Sequence, residues 1–146
     1  MVGITLIALA LREAVPGRAL SAYASGGATG GAIMLLVVVT VTTATVTHVR
    51  PAAPIRIGEI CFLGSFSSGV PVVAVAGLLA ATAFPVRPVL VGTLYGLGAG
   101  LMADAGWRLF CEFSGPAHVF PFHLGAIAAN VVLGIAWSVL LARTHA

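Results

Sequence analysis

The sequence predicts an all-α, polytopic membrane helical bundle with four full transmembrane helices and a short or partial helix at the N-terminus. Of the 146 residues, 60% are hydrophobic and 8% are charged, whereas soluble domains carry about 25% charged residues. The mean hydropathy is +1.11, and seven basic and four acidic side chains cannot cover a globule in water. Apolar runs of membrane-crossing length alternate with short loops that contain proline and arginine.

The first apolar run, residues 1–11, is too short to cross a bilayer. A helix of this length rises about 16 Å, roughly half of the ~30 Å hydrocarbon core. We therefore expect a partial or interfacial helix. No basic segment precedes the run and Arg12 follows it, so we do not expect a secretory signal peptide. A polar turn containing Pro16 and Gly17 separates this helix from the next.

The second predicted helix covers residues 29–47, an aliphatic run followed by alternating valine and threonine. β-Branched residues favour strands in water, but a lone strand in lipid would leave its backbone unpaired, so a helix is predicted. The glycine-rich segment before it weakens helical structure, although small residues suit close packing in lipid. Residues 48–58, with two prolines, are predicted to form a loop.

The third and fourth predicted helices cover residues 59–84 and 89–107. The fourth carries three glycines at a spacing of four: Gly92, Gly96 and Gly100. These glycines form one stripe, which is typical of close helix packing. The stripe continues to Asp104 and Arg108, which are spaced to form an i,i+4 ion pair. The last predicted helix covers residues 119–141.

Alternating crossings place the loops on two sides of the membrane. One side carries four arginines and the other carries three: Arg12, Arg18, Arg87 and Arg143 against Arg50, Arg56 and Arg108. An excess of one arginine favours the first side as cytoplasmic. The charges are too few and too scattered for binding nucleic acid.

The same alternation brings both cysteines to one face of the membrane, together with five other polar residues. The group comprises His48, Glu59, Cys61, Cys111, Glu112, His118 and His123. We therefore expect Cys61 and Cys111 to lie close together. From their spacing alone, the cysteines are compatible with a disulfide, a thiolate metal site, or buried residues without a function.

The neighbouring polar residues have simpler explanations than metal binding. His118 and His123 are five residues apart, so an α-helix does not place them on one face. A capping role is predicted for His118, and packing at the membrane interface for His123. Glu59 and Glu112 are expected to be solvated at the boundary. No nucleophile with a base and an orienting group is present, so we do not expect an enzyme.

Several motifs together resemble a known family. In order, they are the turn Val15-Pro16-Gly17-Arg18, a helix that opens with Cys61 and leads to Pro71, a glycine-rich helix, the turn Leu109-Phe110-Cys111, and Ser114-Gly115-Pro116 before a histidine that leads the last helix. This arrangement resembles the NrsF family (DUF1109) of bacterial membrane anti-sigma factors. The resemblance covers Leu11 to the C-terminus, as the four C-terminal spans of that family.

The resemblance implies a function at the bacterial inner membrane. Members of the family hold an extracytoplasmic-function sigma factor and release it under heavy-metal or oxidative stress. Their two periplasmic cysteines are the sensor, and Cys61 and Cys111 match them by position. A soft metal ion is the candidate cofactor, with Glu112, His118 and His123 as auxiliary ligands. The family binds sigma through a segment before its first span, and we expect that segment to be absent from this sequence.

A second hypothesis belongs to a different class of protein. The chain would be a structural or transport-associated membrane subunit, and its glycine stripe would join copies into a homo-oligomer.

Overall fold

The computed structural model describes residues 1–46 and 54–144. Over these two ranges the chain forms five helices and no strand: α1 (Val2–Ala14), α2 (Ala22–Val46), α3 (Ile55–Ala81), α4 (Pro88–Arg108) and α5 (Pro116–Thr144). The predicted all-α fold is confirmed. Helices α2 to α5 are long and apolar enough to cross a membrane, and α1 is the expected short helix. The chain is therefore a multi-pass membrane protein whose apolar helices face the lipid bilayer.

The helix boundaries differ from the predicted ones where glycine and proline were taken as helix breakers. Helix α2 begins at Ala22 and not at residue 29, so the glycine-rich segment is helical. A Cβ added at Gly26, Gly27, Gly30 or Gly31 would meet no atom within 4 Å. The requirement to pair the backbone in lipid therefore explains this helix better than close packing does. Helix α3 begins at Ile55, directly after Pro54, within the predicted loop.

Helix α4 is the centre of the bundle. It packs against α1, α3 and α5, and 56% of its span is buried, compared with 28% for α3 and α5 and 17% for α2. Its buried side chains include Val91, Leu94 and Tyr95. Helix α2 lies at the edge, packs against α1 and exposes most of its aliphatic side chains. The position of α4 explains why it carries the most glycine, since three neighbours must approach its backbone.

The predicted glycine stripe is a packing surface within the chain. A Cβ added at Gly92 would lie 2.6 Å from the carbonyl oxygen of Gly134 on α5. One added at Gly96 would lie 2.7 Å from the carbonyl oxygen of Asn130, and Gly100 similarly faces α5. Because α5 of the same chain covers this stripe, the stripe is not exposed for contact with a second copy of the chain. The opposite side of α4 approaches α1 at Gly98.

At the end of the bundle opposite the cysteines, an ion pair connects the end of α1 to the turn before α4. Glu13, at the end of α1, is 4% exposed and accepts a hydrogen bond from the backbone N–H of Leu20. Arg87, in the turn before α4, approaches the same carboxylate at 3.5 Å. This contact agrees with the alternating crossings, which place both turns on one side of the membrane.

A candidate cysteine and histidine site

Cys61 and Cys111 lie together near one end of the bundle. Cys61 is buried on α3, and Cys111 lies in the turn that follows α4. Their Sγ atoms are 3.6 Å apart, and neither cysteine forms a disulfide. The predicted proximity is confirmed. A disulfide bond is about 2.05 Å long, so the two sulfurs are not bonded but are close enough to bind one ion or to be oxidised together.

Helix α3 reaches this position because glycines flank Cys61 at a spacing of three. The ring of Phe122 lies against Gly58, and the indole of Trp107 lies against Gly64. The indole N–H of Trp107 also donates a hydrogen bond of 3.0 Å to the hydroxyl oxygen of Ser68. Both rings occupy the space that a Cβ would need, so these glycines allow α3 to approach α4 and α5 closely enough for the sulfurs to meet.

His118 is part of the cysteine site. Its Nε2 atom lies 3.2 Å from the Sγ atom of Cys111, and the residue is 4% exposed. Its ring packs between those of Phe113 and Phe122, with centroid distances of 5.6 Å and 5.4 Å. The predicted capping role is wrong, because the side chain makes no capping hydrogen bond. The imidazole of His118 faces the thiol of Cys111 because the aromatic rings of Phe113 and Phe122 pack on both sides of it.

His123 is held by a carboxylate from α4. Its Nδ1 atom lies 2.6 Å from one oxygen of Asp104, and the other oxygen of Asp104 accepts a 2.7 Å hydrogen bond from Arg108. His123 is 1% exposed and Asp104 is 4% exposed. The predicted Asp104–Arg108 ion pair is confirmed. A carboxylate accepts hydrogen bonds, so Nδ1 donates to Asp104, and in a neutral imidazole this leaves the Nε2 lone pair for a ligand.

The two histidines share a face because the helix changes its type between them. Residues Val119–Leu124 form a π-helical turn within α5. Hydrogen bonds in a π-helix join residues five apart, and the imidazole centroids of His118 and His123 are 5.3 Å apart. The prediction that they lie on different faces assumed an α-helix and is wrong. Pro121 favours the change, because it has no N–H to donate and its ring crowds the preceding turn.

Four side chains therefore converge on one point. One ligand atom from each lies within 4.8 Å of every other: Cys61, Cys111, His118 and His123. This group could hold a metal ion. Glu112, predicted as an auxiliary ligand, is exposed and lies outside the group, and Glu59 is exposed as well. His48, expected on the same face, lies outside the described residues. Asp104 was predicted only as the partner of Arg108, so its contact with His123 was missed.

The fold and the site together define a multi-pass helical membrane protein with a cysteine and histidine cluster near one end of its bundle. Comparison with known protein families, characterised proteins and solved structures finds no match. The function is therefore argued from the residues of this chain and from the motifs quoted above.

Proposed function

We propose that the chain is a regulator in the bacterial inner membrane, similar to the NrsF family of anti-sigma factors, that responds to heavy-metal or oxidative stress through Cys61 and Cys111. The observation that carries the sensor function is the 3.6 Å distance between the two free Sγ atoms. Soft metal ions prefer thiolate ligands, and oxidants join neighbouring thiols. Either event would change a contact between the start of α3 and the turn after α4.

The location of the pair supports a signalling role. Cys61 lies on α3 and Cys111 lies beyond the end of α4, so an event at the sulfurs acts on two helices at once. Helix α4 in turn contacts α1, α3 and α5, and its glycines allow backbone-to-backbone contact with α5. A shift of α4 would therefore be transmitted to most of the bundle. The regulated partner, an extracytoplasmic-function sigma factor, is supported by the resemblance of the motifs.

Thiol labelling in native membranes tests the sensor function. Membranes are treated with cadmium or with the oxidant diamide and then with an excess of a membrane-permeant maleimide. Only after this reaction is the protein denatured in detergent, and labelling is measured by mass. We expect each agent to protect both cysteines in the wild-type protein. In Cys61→Ser, diamide should no longer protect Cys111, because its partner is absent. If neither agent protects the cysteines of the wild-type chain, the sensor function is wrong.

The regulatory output needs a separate measurement. A reporter gene transcribed by the extracytoplasmic-function sigma factor is followed in cells that make either the wild-type protein or Cys61→Ser. Cadmium should raise reporter expression with the wild-type protein and leave it unchanged with the variant. A reporter insensitive to the presence of the protein would exclude the anti-sigma role, whatever the labelling shows.

A further inference from the structure

We propose that Cys61, Cys111, His118 and His123 form a tetrahedral site for one thiophilic divalent ion of the zinc and cadmium class, and that Asp104 is its positioning residue. This inference rests on the proposed sensor function and selects metal binding over oxidation as its chemistry. It also adds two histidine ligands and a supporting carboxylate that the cysteine pair alone does not require.

The distances between the ligand atoms fit one tetrahedral ion. Zinc–sulfur bonds of about 2.3 Å and zinc–nitrogen bonds of about 2.0–2.1 Å separate two sulfur ligands by roughly 3.8 Å, and a sulfur from a nitrogen by roughly 3.6 Å. The two Sγ atoms are 3.6 Å apart, and Cys111 Sγ lies 3.2 Å from His118 Nε2. All four ligand atoms lie within 4.8 Å of one another. Binding therefore needs side-chain adjustment rather than helix rearrangement.

The two histidines distinguish this site from a simple dithiol. Disulfide formation joins the two sulfurs and needs at most one imidazole as a base for a thiol, whereas a tetrahedral ion uses both imidazoles. Both histidines are buried, at 4% and 1% exposure. Polar side chains within membrane-spanning helices are costly and usually have functional partners. The Nδ1 atom of His118 has no hydrogen-bond partner among the described residues, while its Nε2 faces a thiol.

The charges of the site also favour a divalent ion. On binding, two metal–sulfur bonds form, the two thiols release their protons to solvent, and the imidazoles supply neutral nitrogen lone pairs. Two thiolates then neutralise the charge of the ion. The adjacent Asp104 is neutralised separately by Arg108, at 2.7 Å. The complete site is electrically neutral, which lowers the cost of keeping it within a membrane bundle.

Asp104 prepares His123 for this ion. The contact of 2.6 Å to Nδ1 fixes the tautomer and the ring orientation that present Nε2. Carboxylates that support a histidine ligand in this way typically change metal affinity by about 10- to 100-fold when they are replaced. Among the described residues, the side chain of Asp104 hydrogen-bonds to His123 and to Arg108, so its effect on binding should depend on His123.

Metal titration of the purified full chain in nanodiscs tests the site. We expect one Zn²⁺, Cd²⁺ or Co²⁺ per chain and no competition from Mg²⁺ or Ca²⁺, because hard ions prefer oxygen ligands. The Co²⁺ form should show the strong visible bands of tetrahedral coordination and the ultraviolet bands of thiolate ligation. Glu112→Gln, beside Cys111, is the matched control and should bind as the wild type does. A Co²⁺ spectrum unchanged in both His118→Ala and His123→Ala would overturn the four-ligand site.

The role of Asp104 is isolated by a double-mutant cycle. Asp104→Asn should weaken Zn²⁺ binding by about 10- to 100-fold in the wild-type background and leave it unchanged in the His123→Ala background. An equal loss in both backgrounds would show a general effect on folding and would overturn the positioning role. If diamide protects the thiols but no metal binds, this inference fails while the proposed redox sensing stands. If neither agent acts on the cysteines, both fail.

Discussion

Replacing Gly92 with alanine should separate α4 from α5. A Cβ at this position would lie 2.6 Å from the carbonyl oxygen of Gly134 and 2.7 Å from the Cα atom of Ile135. Non-bonded carbon atoms rest at about 3.5–4.0 Å, so the two helices must move apart by about 1 Å. Both obstructing atoms belong to the backbone, and no side-chain rotation can relieve the contact.

The cost can be estimated against a matched glycine on the same helix. Forcing an extra carbon into a packed contact typically costs about 1–3 kcal/mol. Alanine also stabilises a helix by about 1 kcal/mol relative to glycine, and this stabilisation would partly offset the cost of the clash. Gly106→Ala has the same gain without the clash, since nothing lies within 4 Å of its added Cβ. The difference between the two variants should therefore be about 1–3 kcal/mol, or about 5- to 140-fold in the unfolding constant.

Equilibrium unfolding in mixed micelles measures this difference. Sodium dodecyl sulfate is titrated against a mild detergent, and unfolding is followed by far-ultraviolet circular dichroism and by tryptophan fluorescence. We expect the midpoint of Gly92→Ala to fall below that of Gly106→Ala, with an unchanged slope. Equal midpoints for the two variants would refute the close backbone contact between α4 and α5.

Two further predictions use matched residues elsewhere in the bundle. Tyr95→Phe removes a buried 2.7 Å hydrogen bond to the carbonyl oxygen of Gly134, so it should lower the free energy of unfolding by about 0.5–1.5 kcal/mol in the same titration. Tyr23→Phe should have no effect, because Tyr23 is 94% exposed; equal losses would refute the assignment. In a cysteine-free background, Leu109→Cys and Val86→Cys, at positions of 83% and 82% exposure, should react with an impermeant maleimide from opposite sides of the membrane. Leu109→Cys should react from outside the cell, and labelling of both from one side would contradict the topology.

Hydropathy and alternation were sufficient to predict much of this architecture. Four long helices follow from composition, because lipid leaves the backbone no other way to pair its polar groups. Counting crossings is enough to place Cys61 and Cys111 on one face of the membrane. Their contact at 3.6 Å also needs Gly58 and Gly64, which let α3 approach α4 and α5. The glycine stripe of α4 was recognised from its spacing, but the sequence left its partner open. Only the fold shows that α5 of the same chain, at Gly134, fills that position.

The histidine half of the site could not be derived from α-helical periodicity. In a regular α-helix the side chains of His118 and His123 would lie on different faces, and the π-helical turn brings them to the same face. A signal was nonetheless present: Pro121 lies inside the last helix, and a proline inside a helix removes a hydrogen bond of the α type. A second signal was the pairing of a membrane-edge aspartate with a histidine about one turn inside the last helix, since each requires a polar partner.

A π-helical turn amounts to an α-helix with one residue inserted, and this has a consequence for how the site depends on chain length. Deleting a single residue between Val119 and Leu124 would restore a continuous α-helix. The segment after the turn would keep its contacts with α4, while the segment before it would rotate by about 100°. His118 would then leave the sulfurs although every helix remained in place. The helical bundle can therefore form without the cysteine and histidine cluster. A change of one residue in the length of this turn is enough to remove the cluster or to create it, while the bundle stays the same.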